Sequence, residues 1–319
     1  MIFTINRVLY AIAIIFLLGS GRYSNAEPFS FVALGDTAYI TPEDYPTYEQ
    51  LIDNINQHQP RLTIHVGDLW GAGPCSNENM NRQKDYFNRF EQALIYTPGD
   101  NEWVDCHRTR WGKYSPLERL DFIRKTFFST PKSLGQSPIA LKRQSEKTEY
   151  KTYVENAQWQ QDDVLFATVH VTGSNNNSAY AKESYARNLA NAAWIDTLFE
   201  DAKSRQANAV KAIVIALHAD IFNGQGKVLP RYKETANRIL AGAKATAVPV
   251  LLIHGDSHQY IVDAPFKKAP NITRLQVHGF PVIKAVKVGV NTASSNTFSF
   301  SAINSKAKTN TGPQPSAKR

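Results

Sequence analysis

An α/β fold with a largely parallel sheet is predicted by three observations. Through the first hundred residues, short apolar runs alternate with segments of helical spacing, which is βαβαβ patterning. Ala212 to Leu217 and Val248 to Ile253 are continuously apolar, as strands covered on both faces are. Gly-Asp pairs at 35–36, 67–68, 99–100 and 255–256 directly follow strand-like runs or lie within two residues of them. In a parallel sheet those carboxyl ends share one edge, where ligands bind.

The elements follow in order. Phe29 to Leu34 is the first strand, and Tyr48, Leu51, Ile52 and Ile55 then fall at helical spacing. Leu62 to Val66 is the second strand. A helical stretch around Asp85 to Gln92 leads into the strand Ala93 to Tyr96. The region from 101 to 151 is less regular, with a helix expected at Pro116 to Phe127. Val164 to Val171 resumes the strands and runs into a Gly-Ser-Asn-Asn-Asn loop at 173–177. Leu189 to Ala207 is a long helix with one apolar face. Tyr260 to Asp263, Thr273 to Val277 and Val282 to Val288 complete the set as shorter strands. No linker or repeat divides the chain, so one domain over 27–303 is expected. The polar tail 304–319, with Pro and Lys, is expected to be disordered and basic.

The composition of the 319 residues, 42% hydrophobic and 20% charged, excludes a disordered, collagen-like or small disulfide-scaffold chain. Residues 1–26 read as a signal peptide: Arg7, an apolar run from Val8 to Leu18, and a small-x-small site at Ser24-Asn25-Ala26. The run is too short to be a stable membrane anchor. An exported protein, periplasmic or extracellular, is expected. Removing Arg7 and Arg22 from 36 basic residues leaves 34 against 28 acidic ones, a net charge of +6. That charge favours anionic partners without choosing among them. No interleaved basic and aromatic stripe supports specific nucleic-acid binding. Export permits a Cys75–Cys106 disulfide, the alternative being two free or metal-binding thiols. Oligomeric state is not legible.

The Gly-Asp pairs would bring Asp36, Asp68, Asp100 and Asp256 together, and converging carboxylates repel unless cations neutralise them. His218 ends an apolar strand and His258 lies two residues past Asp256. Four Asp and two His suit a pair of divalent ions bridged by a shared carboxylate.

The order GDTAY (35–39), GDLW (67–70), PGDNEW (98–103), His218 and HGDSH (254–258) resembles the calcineurin-like metallophosphoesterases over about residues 29 to 290. The resemblance implies a four-layer α/β/β/α sandwich around a two-metal site, and hydrolysis of a phosphate mono- or diester by metal-activated water. Asp36 and His258 would hold the first metal, Asp68 would bridge, and Asp100, His218 and Asp256 would hold the second. This chain departs from the family pattern in four places. Ala38 stands where many members have His. Asn101 stands where the family has the His thought to protonate the leaving group. Asp100 replaces the family's Asn, and Asp256 the first His of its Gly-His-x-His block. The oxygen donors shift preference toward Mn, Fe or Mg over Zn. With Asn at 101, His254 becomes the candidate general acid, with His107 and His170 behind it. An alternative alignment makes Asn101 the ligand and Asp100 its support. The rival function is a catalytically impaired binding or scaffold protein on the same fold.

Overall fold

The computed structural model describes residues 27–71, 73–204 and 210–305. The expected signal peptide, and the tail beyond 305, lie outside them. In chain order the elements are β1 (Phe29–Leu34), α1 (Tyr45–Gln57), β2 (Leu62–His65), α2 (Asn77–Phe87), β3 (Ala93–Tyr96) and α3 (Pro116–Phe127). After them come β4 (Lys142–Arg143), β5 (Ala157–Gln161), β6 (Val164–Thr168), α4 (Gly173–Asn177), α5 (Ala181–Ser204) and β7 (Ala212–Ala216). The last six are α6 (Lys233–Thr246), β8 (Val250–His254), β9 (Ile261–Asp263), β10 (Ile272–Gln276), β11 (Lys284–Val290) and β12 (Phe298–Asn304).

The strands form two sheets. One has the order β12-β11-β1-β2-β3, the other β4-β5-β6-β7-β8-β10-β9. Both centres are parallel: β1–β2–β3 in the first, β6–β7–β8–β10 in the second. Antiparallel strands close the margins. Three apolar layers bind the molecule. Phe31, Ile64 and Val286 of the first sheet meet Phe166, Val214 and Leu251 of the second between the sheets. The outer face of the first sheet packs Val32 and Leu34 on Leu51, Ile52, Phe87 and Ile123 of α1, α2 and α3. The second sheet packs Leu165 and Ile215 on Ile195, Leu198 and Ile239 of α5 and α6. The result is the expected α/β/β/α order, and it explains why the central strands are apolar on both faces.

Several boundaries differ from expectation. Helix α2 begins at Asn77 because the Ser76 hydroxyl accepts the Asn79 amide, and it ends at Phe87 rather than Gln92. Helix α5 begins eight residues before the expected Leu189. Helix α6 was hidden by its small apolar positions Ala236 and Ala243, and edge strand β12 by its mixture of Ser and Phe. The Asn-rich loop is a left-handed turn: φ is +44° to +56° from Ser174 through Asn177. Asn tolerates that region better than most residues, because its short polar side chain can bond locally. Arg187 is fully buried and clamps the turn, donating to Asn176 O and Oδ1 and to His170 O.

Candidate metal centre

The four Asp-bearing loops meet at the carboxyl edge of both sheets. Close approach requires their glycines. A Cβ at Gly99 would lie 2.2 Å from Asp68 Oδ1, and one at Gly255 would lie 2.0 Å from Asp36 Oδ2. Each of these glycines therefore makes room for a neighbouring loop's carboxylate. Asp36, Asp68 and Asp256 all sit at positive φ (50°, 54° and 76°), which Asp tolerates and which turns the side chain back over the strand end.

Backbone amides hold the carboxylates. Asp256 N donates to both oxygens of Asp36 at 3.0 and 3.1 Å. Asp68 Oδ1 accepts from the amides of Asp100 and Asn101, both at 3.1 Å. Asp256 Oδ2 accepts from Asp220 N at 3.0 Å. His218 is fully buried at the end of β7, with Nδ1 donating to Val66 O at 2.7 Å and Nε2 lying 2.9 Å from Asp100 Oδ1. Ser174, on the left-handed turn, bonds Asp100 Oδ2 at 2.6 Å and Asp105 Oδ1 at 2.8 Å.

Two groups of donor atoms are compact enough for a metal ion: Asp36, Asp68 and His218, and Asp100, His218 and Asp256, with ligand atoms within 4.8 Å of one another in each. They share His218. With Nδ1 spent on Val66 O, only Nε2 is free, so one ion takes the nitrogen and the other relies on oxygen. His258 lies beside these groups rather than within them: Nε2 is 3.7 Å from Asp36 Oδ1 and 3.1 Å from the Tyr39 hydroxyl.

Burial makes these carboxylates costly to ionise without protons or cations beside them. Burial pushes Asp36 up to about 8 and Asp256 up to about 6, and raises Asp68 well above the carboxylate range. Burial also opposes charge on His218, but the surrounding carboxylates outweigh it and raise its pKa. Asp100 is held below its usual value because hydrogen bonds from His218 and Ser174 outweigh its burial. Four buried carboxylates against one imidazole form a donor set that fits divalent ions, since two such ions offset the four negative charges.

Sequence reasoning missed Tyr39. Its hydroxyl donates to Asp68 Oδ2 at 2.5 Å, accepts from Asn101 Nδ2 at 3.2 Å, and lies beside His258. The signal was present in GDTAY, but a Tyr three residues after an Asp has no helical or strand period to mark it. Asn101 donates its side chain to Tyr39 and to Trp70 O at 2.8 Å; Asp100, not Asn101, belongs to the compact groups. Glu102 is fully buried and caps the same loop, with Oε1 taking Gly99 N and the Tyr96 hydroxyl.

His254 does not occupy the leaving-group position expected of it. It ends β8 fully buried, Nδ1 beside Gly255 O at 3.1 Å and Phe222 6.2 Å away, and burial lowers its pKa to about 4. Strand alternation turns it toward the helix-covered face. His170 is buried against Glu155 at 2.8 Å, and His107 binds Val104 O at 2.8 Å. Cys75 and Cys106 form the disulfide, and both sulfurs face Asn101 O, at 3.4 and 3.6 Å.

Fold and centre together place the chain among proteins with a metallophosphoesterase-like fold. Its backbone is similar to that of a dimetal phosphatase from Danio rerio, with a TM-score of 0.55 and 8% identity, covering 88% of this chain and 100% of that one. It is also similar to GAP50, described as the anchor in the inner membrane complex of Plasmodium, with a TM-score of 0.50 and 11% identity, covering 88% and 85%. These likenesses speak to the fold. No family model and no curated protein matches the sequence.

Proposed function

We propose that this chain is an exported, dinuclear metal-dependent phosphoesterase that hydrolyses a phosphate mono- or diester. The observation that carries the proposal is the convergence of Asp36, Asp68, Asp100, Asp256 and His218 into two overlapping donor groups. The dimetal phosphatase on a similar fold supports it. Bound there, two divalent ions supply the charge that attracts phosphoryl oxygens and activates water for attack on phosphorus. Asp36 and Asp68 would hold one ion, with His258 beside them, and Asp100, Asp256 and His218 Nε2 would hold the other. Oxygen donors predominate, which favours Mn, Fe or Mg over Zn. His258 and Tyr39 lie beside the first group, within reach of an ester oxygen. Tyr39 and Asn101 keep Asp68 oriented. Removal of residues 1–26 on export accords with the disulfide and with the absence of a helix long and apolar enough to cross a membrane among the described residues.

The test is metal content of the purified protein, with hydrolysis of p-nitrophenyl phosphate and its bis-ester in Mn2+ and Asp68→Ala as control. Near two metals per chain and turnover lost in Asp68→Ala support the proposal; no metal and no turnover refute it. A scaffold is the second reading, favoured by the anchor role of GAP50 and by Asn at position 101. Metal without turnover on either ester would turn the argument toward it.

A further inference from the structure

Beside the carboxylates the surface changes character. Tyr39 stacks on Phe280 at 5.6 Å, His258 meets Tyr39 edge-on at 4.8 Å, and His258 and Phe280 lie 6.5 Å apart. Two residues after His258 and two before Phe280, Tyr260 stacks on His278 at 4.4 Å. Phe280, His258 and His278 are half-buried, and Tyr260 is exposed. Exposed Ile40 and Val282 adjoin them in the chain. These segments are locked to the centre: Phe280 N donates to Asp36 O at 2.9 Å, and the Tyr39 hydroxyl to Asp68 Oδ2. A Cβ on Gly279 would lie 2.9 Å from both Asp36 Cβ and His258 Cα, so glycine is what lets them close.

The charge of this rim is equally informative. Residues 38–40, 256–262 and 278–282 contain no Lys or Arg. Just beyond them Lys284 acts on His278, so a second phosphate would meet a cation at that end of the rim and none beside Tyr39 and Phe280 within these segments. A planar aromatic group would find several partly open ring faces, which attract it by offset stacking.

We infer that Tyr39, His258, Phe280, Tyr260 and His278 form a subsite for an aromatic arm of the phosphate ester. The inference rests on the proposed function: a phosphoryl group at the carboxylate centre places the ester arm over these rings. Stacking on such rings raises affinity about tenfold.

Titration calorimetry in Mn2+ buffer with phenylphosphonate and methylphosphonate, neither of which is hydrolysed, reads the subsite without turnover. The wild type should prefer the phenyl compound about tenfold or more, and Tyr260→Ser/Phe280→Leu should cut that ratio at least about threefold. Should the double variant fail to fold, Tyr260→Ser alone, at an exposed position, should cut it about twofold. Equal affinities in the wild type, a ratio unchanged by the variants, or no binding of either phosphonate overturns the inference. Hydrolysis of p-nitrophenyl phosphate, assayed alongside, separates the two proposals: turnover without phenyl preference removes the subsite and leaves the hydrolase.

Discussion

Replacing Asp36 with Asn should stabilise the metal-free protein at pH 8 and weaken its response to divalent metal. Asp36 is fully buried, and burial is the largest cause of its rise from 3.8 to about 8, with the Asp256 charge adding to it against the pull of His218. A folded-state pKa above the unfolded one means that the folded protein holds more protons between these values. Stability is therefore fullest below about pH 4 and falls as pH rises toward 8. Four pH units at about 1.4 kcal/mol each amount to roughly 6 kcal/mol. His218, raised by the same carboxylates, contributes its full stabilisation below pH 6.5 and loses it as pH rises through its higher folded value, so both slopes have one sign. Asn cannot ionise, yet its carbonyl still accepts the Asp256 amide. At about 2 °C per kcal/mol for a chain of this size, Asp36→Asn should melt roughly 10 °C above the wild type in chelator at pH 8, and close to it at pH 4. Adding Mn2+ should raise the wild-type melting temperature, and raise that of the variant less, because Asp100, Asp256 and His218 remain. Thermal unfolding at several pH values, with and without metal, measures all of this. A metal-free wild type whose melting temperature is flat from pH 5 to 8, or a variant less stable than wild type at pH 8, would refute the reasoning.

Three further outcomes are expected. Gly173→Ala puts a Cβ 2.4 Å from Asp100 Oδ1 and 2.8 Å from Asp256 Oδ1, so metal affinity by chelator competition should fall about 10- to 100-fold while the fold persists. Arg187→Met strands Glu183 and the carbonyls of His170 and Asn176; a loss of about 3–5 kcal/mol should appear in denaturant titration, and weaker metal binding with it, because the released turn carries Ser174. Cys75→Ser/Cys106→Ser opens a link across 31 residues, worth roughly 4 kcal/mol in chain entropy. Its unfolding midpoint should match that of reduced wild type, and a midpoint equal to the oxidised wild type would show that the link adds nothing.

The legible parts of the sequence were those with a local signal. Strands β1, β3 and β7 declared themselves by unbroken apolar runs, and α3 by its spacing after Pro116. Strand β5 and edge strand β12 were concealed by their Gln and Ser positions, which break the apolar run. At the centre, the Gly-Asp pairs marked four aspartates because glycine and carboxylate must alternate where loops crowd together. Tyr39 and Ser174 carried no comparable mark. Each acts through one hydroxyl on a residue far away in the chain, Asp68 or Asp100.

By itself the sequence determined the α/β class, the strand ends and the residue types that gather there, because burial period and loop chemistry are properties of neighbours in the chain. The layer order was implied only by the resemblance of its motifs. Tertiary structure alone decided which atoms face one another. It turned His254 away from the centre, assigned the single free nitrogen of His218 to two overlapping donor groups, and set aromatic rings against the carboxylates. Those choices depend on side-chain directions at strand ends brought together from positions up to 220 residues apart, a separation over which no local pattern persists.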